Sequence, residues 1–144
     1  MAETRDVVEQ AAEAFNAHDE AAIRAHYADN VVFTGPGEVE LHGPDAVTEY
    51  SMSWLRGFPD AKLTVHKTLV DGDWAAVQIT FTGTHTDTLS GPEGDIPATN
   101  RPVTGRASQL FRVEGGKIVE EHLYYDQVQL LTQLGLMPEP ATTA

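Results

Sequence analysis

Near the end of the chain a carboxylate, Asp126, follows His122, Tyr124 and Tyr125 in the run Gly116-Lys-Ile-Val-Glu-Glu-His-Leu-Tyr-Tyr-Asp126. A carboxyl group at the end of a strand, tucked into an apolar pocket, has its pKa moved toward neutrality and can carry protons. Asp126 has a second reading. Asp126-Gln-Val-Gln129 fits a capping box, in which the carboxylate accepts from the first amides of a helix. The two readings conflict, because capping favours the ionised form and an apolar pocket disfavours it. Both stay open at this point.

Other groups could share such a pocket. With a period of two, His122 falls on the same strand face as Tyr124 and Asp126. Four strand residues span roughly 13 Å, so His122 and Asp126 cannot form a hydrogen-bonded dyad. His122 would line the same cavity, and Tyr124 would donate to a substrate oxygen. His85 is in phase with Val77, Ile79 and Phe81, which points it toward the apolar side of its strand. Gln109 is in phase with Ala107, Phe111 and Val113. A buried amide there needs partners, so it serves as a core hydrogen bond or as a substrate-orienting group. Phe15, Tyr50 and Trp54 read as core, or as pocket walls where a pocket is dug into the core.

These groups need a frame. Val7, Val8, Ala11, Ala12 and Phe15 recur at helical spacing, with Thr4 placed to cap the start. Asp19 caps a second short helix carrying Ala22, Ile23, His26 and Tyr27. Val31-Val-Phe33 is a short strand. Gly43-Pro44 opens a third helix, with proline at its first position, that ends at Gly57. The period then changes to two over residues 63–69. Asp71-Gly72 signals a hairpin turn, and a return strand covers residues 74–83. Residues 85–101 have no period and read as a long loop, a candidate lid. Strands over 103–113 and 117–125 and a helix over 127–134 follow. Residues 1–137 are read as one domain, and 138–144 as a flexible tail. Helices gathered on one face of a curved antiparallel sheet make an α+β fold. With the sheet wrapped around three N-terminal helices and a short helix at the end, the shape is a cone with an open mouth.

The 144 residues carry a net charge of -13. That balance disfavours nucleic acid and anionic lipid surfaces, both of which need a basic face. There is no cysteine, so disulfides, thiolate metal sites and a cysteine nucleophile are excluded. His85-Thr-Asp87 is too sparse for a metal site, which needs three or four convergent ligands. No apolar run reaches the roughly 18 residues of a membrane span. The acidic N-terminus lacks the order of a signal peptide, and a cytoplasmic location is expected.

The segment Asn16-Ala-His-Asp-Glu-Ala-Ala-Ile-Arg-Ala-His-Tyr-Ala-Asp-Asn-Val-Val, with Phe58-Pro-Asp60, Gly83-Thr-His85 and the run from Gly116 to Asp126 followed by Gln133-Leu-Gly135, resembles the SnoaL-like polyketide (ester) cyclases of the NTF2-like superfamily. The resemblance covers roughly residues 4–137. It implies the cone fold, ring closure by an intramolecular aldol reaction without metal or cofactor, a homodimer, and an acid/base role for Asp126. Ketosteroid isomerases of the same superfamily carry a base just after the first strand. Thr34 or Gly35 stands there in this chain, and that chemistry is disfavoured.

The function expected from the sequence is a cofactor-independent acid/base cyclase, of lyase or isomerase type. Asp126, with His122 and His85, would do the proton chemistry on a hydrophobic small molecule. Tyr124, Gln109, Trp54, Phe15 and Tyr50 would hold the substrate. The alternatives are a non-catalytic binding module of the same fold, and hydrolysis or dehydration through Asp126 and a water. Trp74, Leu110, Leu123 and Tyr125 are expected on the convex face, shared with a second copy.

Overall fold

The computed structural model describes residues 3–91 and 94–137. The tail expected at 138–144 lies outside the described residues. Three helices come early: α1 (Thr4–Asn16), α2 (Glu20–Ala25) and α3 (Pro44–Gly57). Strands β1 (Tyr27–Gly35) and β2 (Val39–His42) are interleaved with them. Then come β3 (Lys62–Asp71), β4 (Trp74–Thr84), β5 (Leu89–Gly91), β6 (Gly94–Ile96), β7 (Pro102–Glu114), β8 (Lys117–Tyr125) and α4 (Gln127–Gln133). The six-stranded curved sheet runs β2-β1-β8-β7-β4-β3. The α+β cone expected from the sequence is the observed fold.

The turns follow their residues. Gly72, Gly115 and Gly116 adopt φ of 60°, 58° and 77°, values that glycine reaches without strain and that tight hairpins need. Asp19 caps α2 by accepting from the Ala22 amide at 3.1 Å. Asn16 closes α1 onto the sheet: its side chain accepts from Leu63 N at 2.7 Å and donates to Leu63 O at 2.9 Å. The core lies between the helices and the concave side of the sheet, with Val7, Val31, Phe33, Val47, Phe58 and Ile118 almost fully buried. Each such side chain contributes about 1.5–3 kcal/mol through burial.

Four local expectations fail. Thr4 does not cap α1: Glu3 is the N-cap, and the Thr4 hydroxyl donates to Gly72 O at 2.8 Å, tying the helix start to the β3–β4 turn. The short strand at Val31 is a nine-residue strand paired in a hairpin with β2, and it starts at Tyr27, a residue expected on the second helix, which ends at Ala25. The sheet is not wholly antiparallel, because β1 lies parallel to β8. The chain between them, α3 together with β2 to β7, supplies the long crossover that parallel neighbours require. The 85–101 loop contains its own ladder, β5 against β6. Its Leu89 is buried against α3 at Gly57, where an added Cβ would come 3.0 Å from the leucine.

One irregularity decides which side chains face inward. Along β7 and β8, Arg112 pairs with Glu120 but Val113 pairs with Ile118, so Val119 is the extra residue of a β-bulge. A bulge shifts the alternation of its strand by one residue. Ile118 is in the core, and beyond the bulge the inward positions are Glu121, Leu123 and Tyr125.

Candidate functional site

The concave side of the sheet encloses a cavity of about 120 Å³. Its walls include Val8, Ala11 and Phe15 of α1; Tyr27 of β1; Tyr50 and Trp54 of α3; Phe81 of β4; Gln109 and Phe111 of β7; Glu121, Leu123 and Tyr125 of β8; and Leu130 of α4. The lining is mostly apolar and aromatic, as in ligand sites generally. At the mouth, Gln133 of α4 accepts from Thr104 N at 2.8 Å and donates to Thr104 O at 2.9 Å. This paired contact fixes α4 to β7 beside the opening. Gly135 ends the helix at φ 77°, and a Cβ there would lie 2.8 Å from Arg101 Cζ.

Glu121 is the distinctive group of the cavity. It is only 4% exposed. Tyr27 Oη donates to its Oε1 at 2.8 Å, and Gln109 Nε2 lies 3.4 Å from its Oε2. Burial raises its pKa from 4.5 to about 7, against the pull of these two donors, which favour the ionised form. Removing a carboxylate from water penalises the charge more than two hydrogen bonds restore. Tyr27 is pushed up by its own burial and then by the negative charge of Glu121. It therefore stays a neutral donor. Burial likewise raises the pKa of Tyr50 and of Tyr125.

Among the residues singled out in the sequence, Asp126, Gln109, Phe15, Tyr50 and Trp54 line this cavity. Asp126 stands at the rim, exposed, and its Oδ1 accepts from Gln129 N at 3.0 Å as the cap of α4. Glu121 and Asp126 are five residues apart, roughly 16 Å of strand, so they serve different depths of the site.

Three residues lie elsewhere. His122 and Tyr124 are on the outer face of the sheet, because the bulge at Val119 shifts the inward phase to odd numbers. His122 Nδ1 is 2.7 Å from Thr34 Oγ1, and its Nε2 is 3.5 Å from Glu120. Tyr124 is 59% exposed. His85 is fully buried but behind Phe58, whose ring centroid is 5.2 Å away, and it does not reach the cavity. Its Nδ1 accepts from Thr99 N at 3.2 Å, which leaves the proton on Nε2. Burial lowers the His85 pKa. With its backbone bonded to Asn100 and Arg101, His85 pins the two ends of the 85–101 loop. Leu123 and Tyr125, expected on the convex face, point inward, whereas Trp74 is 37% exposed.

Glu121 escaped the sequence reading, and Tyr27 was read only as part of the second helix. A signal was present: Glu121 breaks an otherwise apolar row with Leu123 and Tyr125. Reading it required the phase after the bulge. Among the described residues, no three His, Cys, Asp or Glu side chains converge as a metal site. No helix of the described residues is long and apolar enough to cross a membrane.

A second cavity, of about 390 Å³, shares Tyr50, Trp54, Tyr125 and Leu130 with the first. The β5–β6 hairpin borders this second space and not the first. The loop expected as a lid over the acid/base group thus sits over its neighbour.

The model of the SnoaL-like polyketide cyclases matches residues 5–134. No curated protein matches the chain. Wild-type IdmH from Streptomyces antibioticus, provisionally called a polyketide cyclase, is 27% identical; the match covers 92% of this chain and 98% of IdmH, with a TM-score of 0.76. A protein from Jannaschia sp. CCS1, provisionally called a SnoaL-like polyketide cyclase, is 18% identical, with coverage of 94% and 93% and a TM-score of 0.82. AclR from Streptomyces galilaeus, provisionally called a hydroxylase, is 24% identical, with coverage of 94% and 87% and a TM-score of 0.78. The family model spans nearly all of the described cone, from α1 to α4, and on that match the chain belongs to the SnoaL-like polyketide cyclase family.

Proposed function

We propose that this protein is a cofactor-independent acid/base enzyme acting on a hydrophobic carbonyl compound, of the cyclase type. The observation that carries this reading is the Glu121 carboxyl, buried in an apolar cavity with its pKa near 7. A group poised near the working pH is the most effective proton carrier.

In the step proposed, the Glu121 carboxylate takes a proton from a carbon alpha to a carbonyl. The electron pair moves onto the carbonyl oxygen and leaves an enolate. The enolate carbon adds to a second carbonyl of the same molecule, forming one carbon–carbon bond and an alkoxide. The alkoxide recovers the proton from Glu121, and the carboxylate is restored. Tyr27 and Gln109 hold the carboxyl in place, and the aromatic walls keep the flexible substrate folded. Asp126, the group the family resemblance favours, takes part only where the substrate reaches the rim. Its exposure and its capping bond support a positioning role for α4.

Deuterium uptake alpha to the carbonyl of phenylacetone, in heavy water, tests the reading. The wild type exchanges the proton, and Glu121→Gln loses about 10²–10⁴-fold of that rate, the usual worth of a general acid or base. Equal rates in both proteins would remove Glu121 from the chemistry.

A second reading, a binding module without catalysis, is favoured by one observation. Both Glu121 oxygens already have donors nearby within the protein, so the carboxyl is satisfied without a substrate. A ligand recovered unchanged, with no exchange, would select it. The same proposal includes a cytoplasmic location and a homodimer through the outer sheet face carrying Trp74, Leu110 and Tyr124. A monomer by light scattering at micromolar concentration would remove the dimer.

A further inference from the structure

We infer that the ligand site has two chambers, and that the substrate is an elongated neutral molecule whose ring-sized reacting end alone enters the chamber of Glu121. This extends the proton-transfer reading above and rests on it for the position of the reacting end.

The argument begins with size. The inner cavity measures about 120 Å³. An engineered apolar cavity of about 150 Å³ accommodates one benzene molecule. The inner chamber therefore holds roughly one ring or a short chain. A molecule long enough to fold on itself and close a ring has further atoms to place.

The second cavity supplies the room, about 390 Å³. The two spaces share Tyr50, Trp54, Tyr125 and Leu130. The wall between them is thus one side chain thick. Trp54 stands edge-on to Tyr125, with ring centroids 5.7 Å apart, and 6.3 Å from Tyr50. A partition of aromatic side chains opens by rotamer changes, without moving the backbone. It also presents flat apolar surfaces to a chain threaded past it.

The chemistry of the outer chamber narrows the ligand. Leu89, Ile96, Leu131 and Leu136 give it an apolar body, while Ser90 and Asp95 place acceptors on its hairpin side. The Asp95 carboxylate, on a chain of net charge -13, suits a hydroxyl at the far end and repels a carboxylate or phosphate.

Two neutral ketones separate the possibilities: phenylacetone, with one ring, and 4-phenoxyphenylacetone, with a second ring beyond it. Calorimetry with the whole protein gives their Kd values, and deuterium uptake is read in parallel. The wild type is expected to bind the longer ketone at least tenfold more tightly. Ser90→Trp, which fills the outer chamber from an exposed position, is expected to weaken the longer ketone tenfold or more and the shorter one less than twofold. Gln127→Trp fills the same chamber from α4 and replaces Ser90→Trp if circular dichroism shows that the latter does not fold. Equal affinities in the wild type, or a tryptophan that weakens both ketones alike, would overturn the two-chamber site. Exchange without a length effect sinks this inference and spares the proton-transfer reading. A length effect without exchange does the reverse, and binding of neither ketone sinks both.

Discussion

The Tyr27 hydroxyl donates to the Glu121 carboxyl at 2.8 Å across 94 residues of chain. The bond joins the first strand of the cone to the last, which lie parallel to one another. It places a donor on a carboxyl that burial has deprived of water. Two opposing effects thus set the acidity of one group, and desolvation is the larger.

The first consequence is a dependence of stability on pH. The folded pKa of Glu121, about 7, lies above its unfolded value of 4.5. Between these values the folded state holds more protons, so stability falls as pH rises through the window. The difference amounts to about 3 kcal/mol at alkaline pH. Glu121→Gln removes the ionisable group, and it should melt above the wild type at pH 8. Thermal melts from pH 4 to 8 check this.

His85 has the opposite sign. Its folded pKa is lowered by burial, so the unfolded chain takes up a proton first as pH falls below about 6.5. Its contribution is complete above that pH and is lost toward the lowered folded value. A His85→Leu variant should show a flatter acid limb. It should also be cut faster by protease in residues 86–100, because the Thr99 contact is gone. Its exchange rate on phenylacetone should match the wild type, since His85 does not line the cavity.

Tyr27→Phe removes the closest donor to Glu121. Loss of a hydrogen bond to a charged group costs about 1.5–3 kcal/mol, and it acts on the ionised form. The pH–rate limb for deuterium uptake should move to higher pH than in the wild type. A limb that stays in place would mean that Tyr27 does not tune the carboxyl.

Asp126 separates capping from catalysis. Asp126→Asn keeps a capping oxygen, whereas Asp126→Ala loses it at a cost of about 1 kcal/mol. The account expects Asn to retain near wild-type exchange and melting, and Ala to melt lower. If Asn melts normally but loses exchange a hundredfold, the acid/base role belongs at the rim.

Much of the fold was legible in the sequence. Gly72, Gly115 and Gly116 marked hairpins, Asp19 and Pro44 marked helix starts, and the period changed from helix to strand after Asp60. The inner wall was partly legible, since Phe15, Tyr50, Trp54 and Gln109 follow from unbroken periodicity. Glu121 was not. A bulge at Val119 leaves no trace in alternation counted from one end of β8, yet it exchanges the faces of every residue after it. His122 and Tyr124 were assigned inward by that count, Leu123 and Tyr125 were assigned to the convex face, and Glu121 was not singled out. The parallel pairing of β1 with β8 and the β5–β6 ladder were also hidden, because both depend on distant or very short partners.

The account turns on one carboxyl group changing protonation inside an apolar cavity near neutral pH. Carbon-13 NMR of the glutamate side-chain carboxyls, titrated from pH 3 to 9 in the wild type and in Glu121→Gln, tests this most directly. The prediction is one resonance with a midpoint near 7 that disappears in the variant. A full set of glutamate resonances titrating below pH 5 would contradict it, and Glu121 would then be an ordinary ionised side chain.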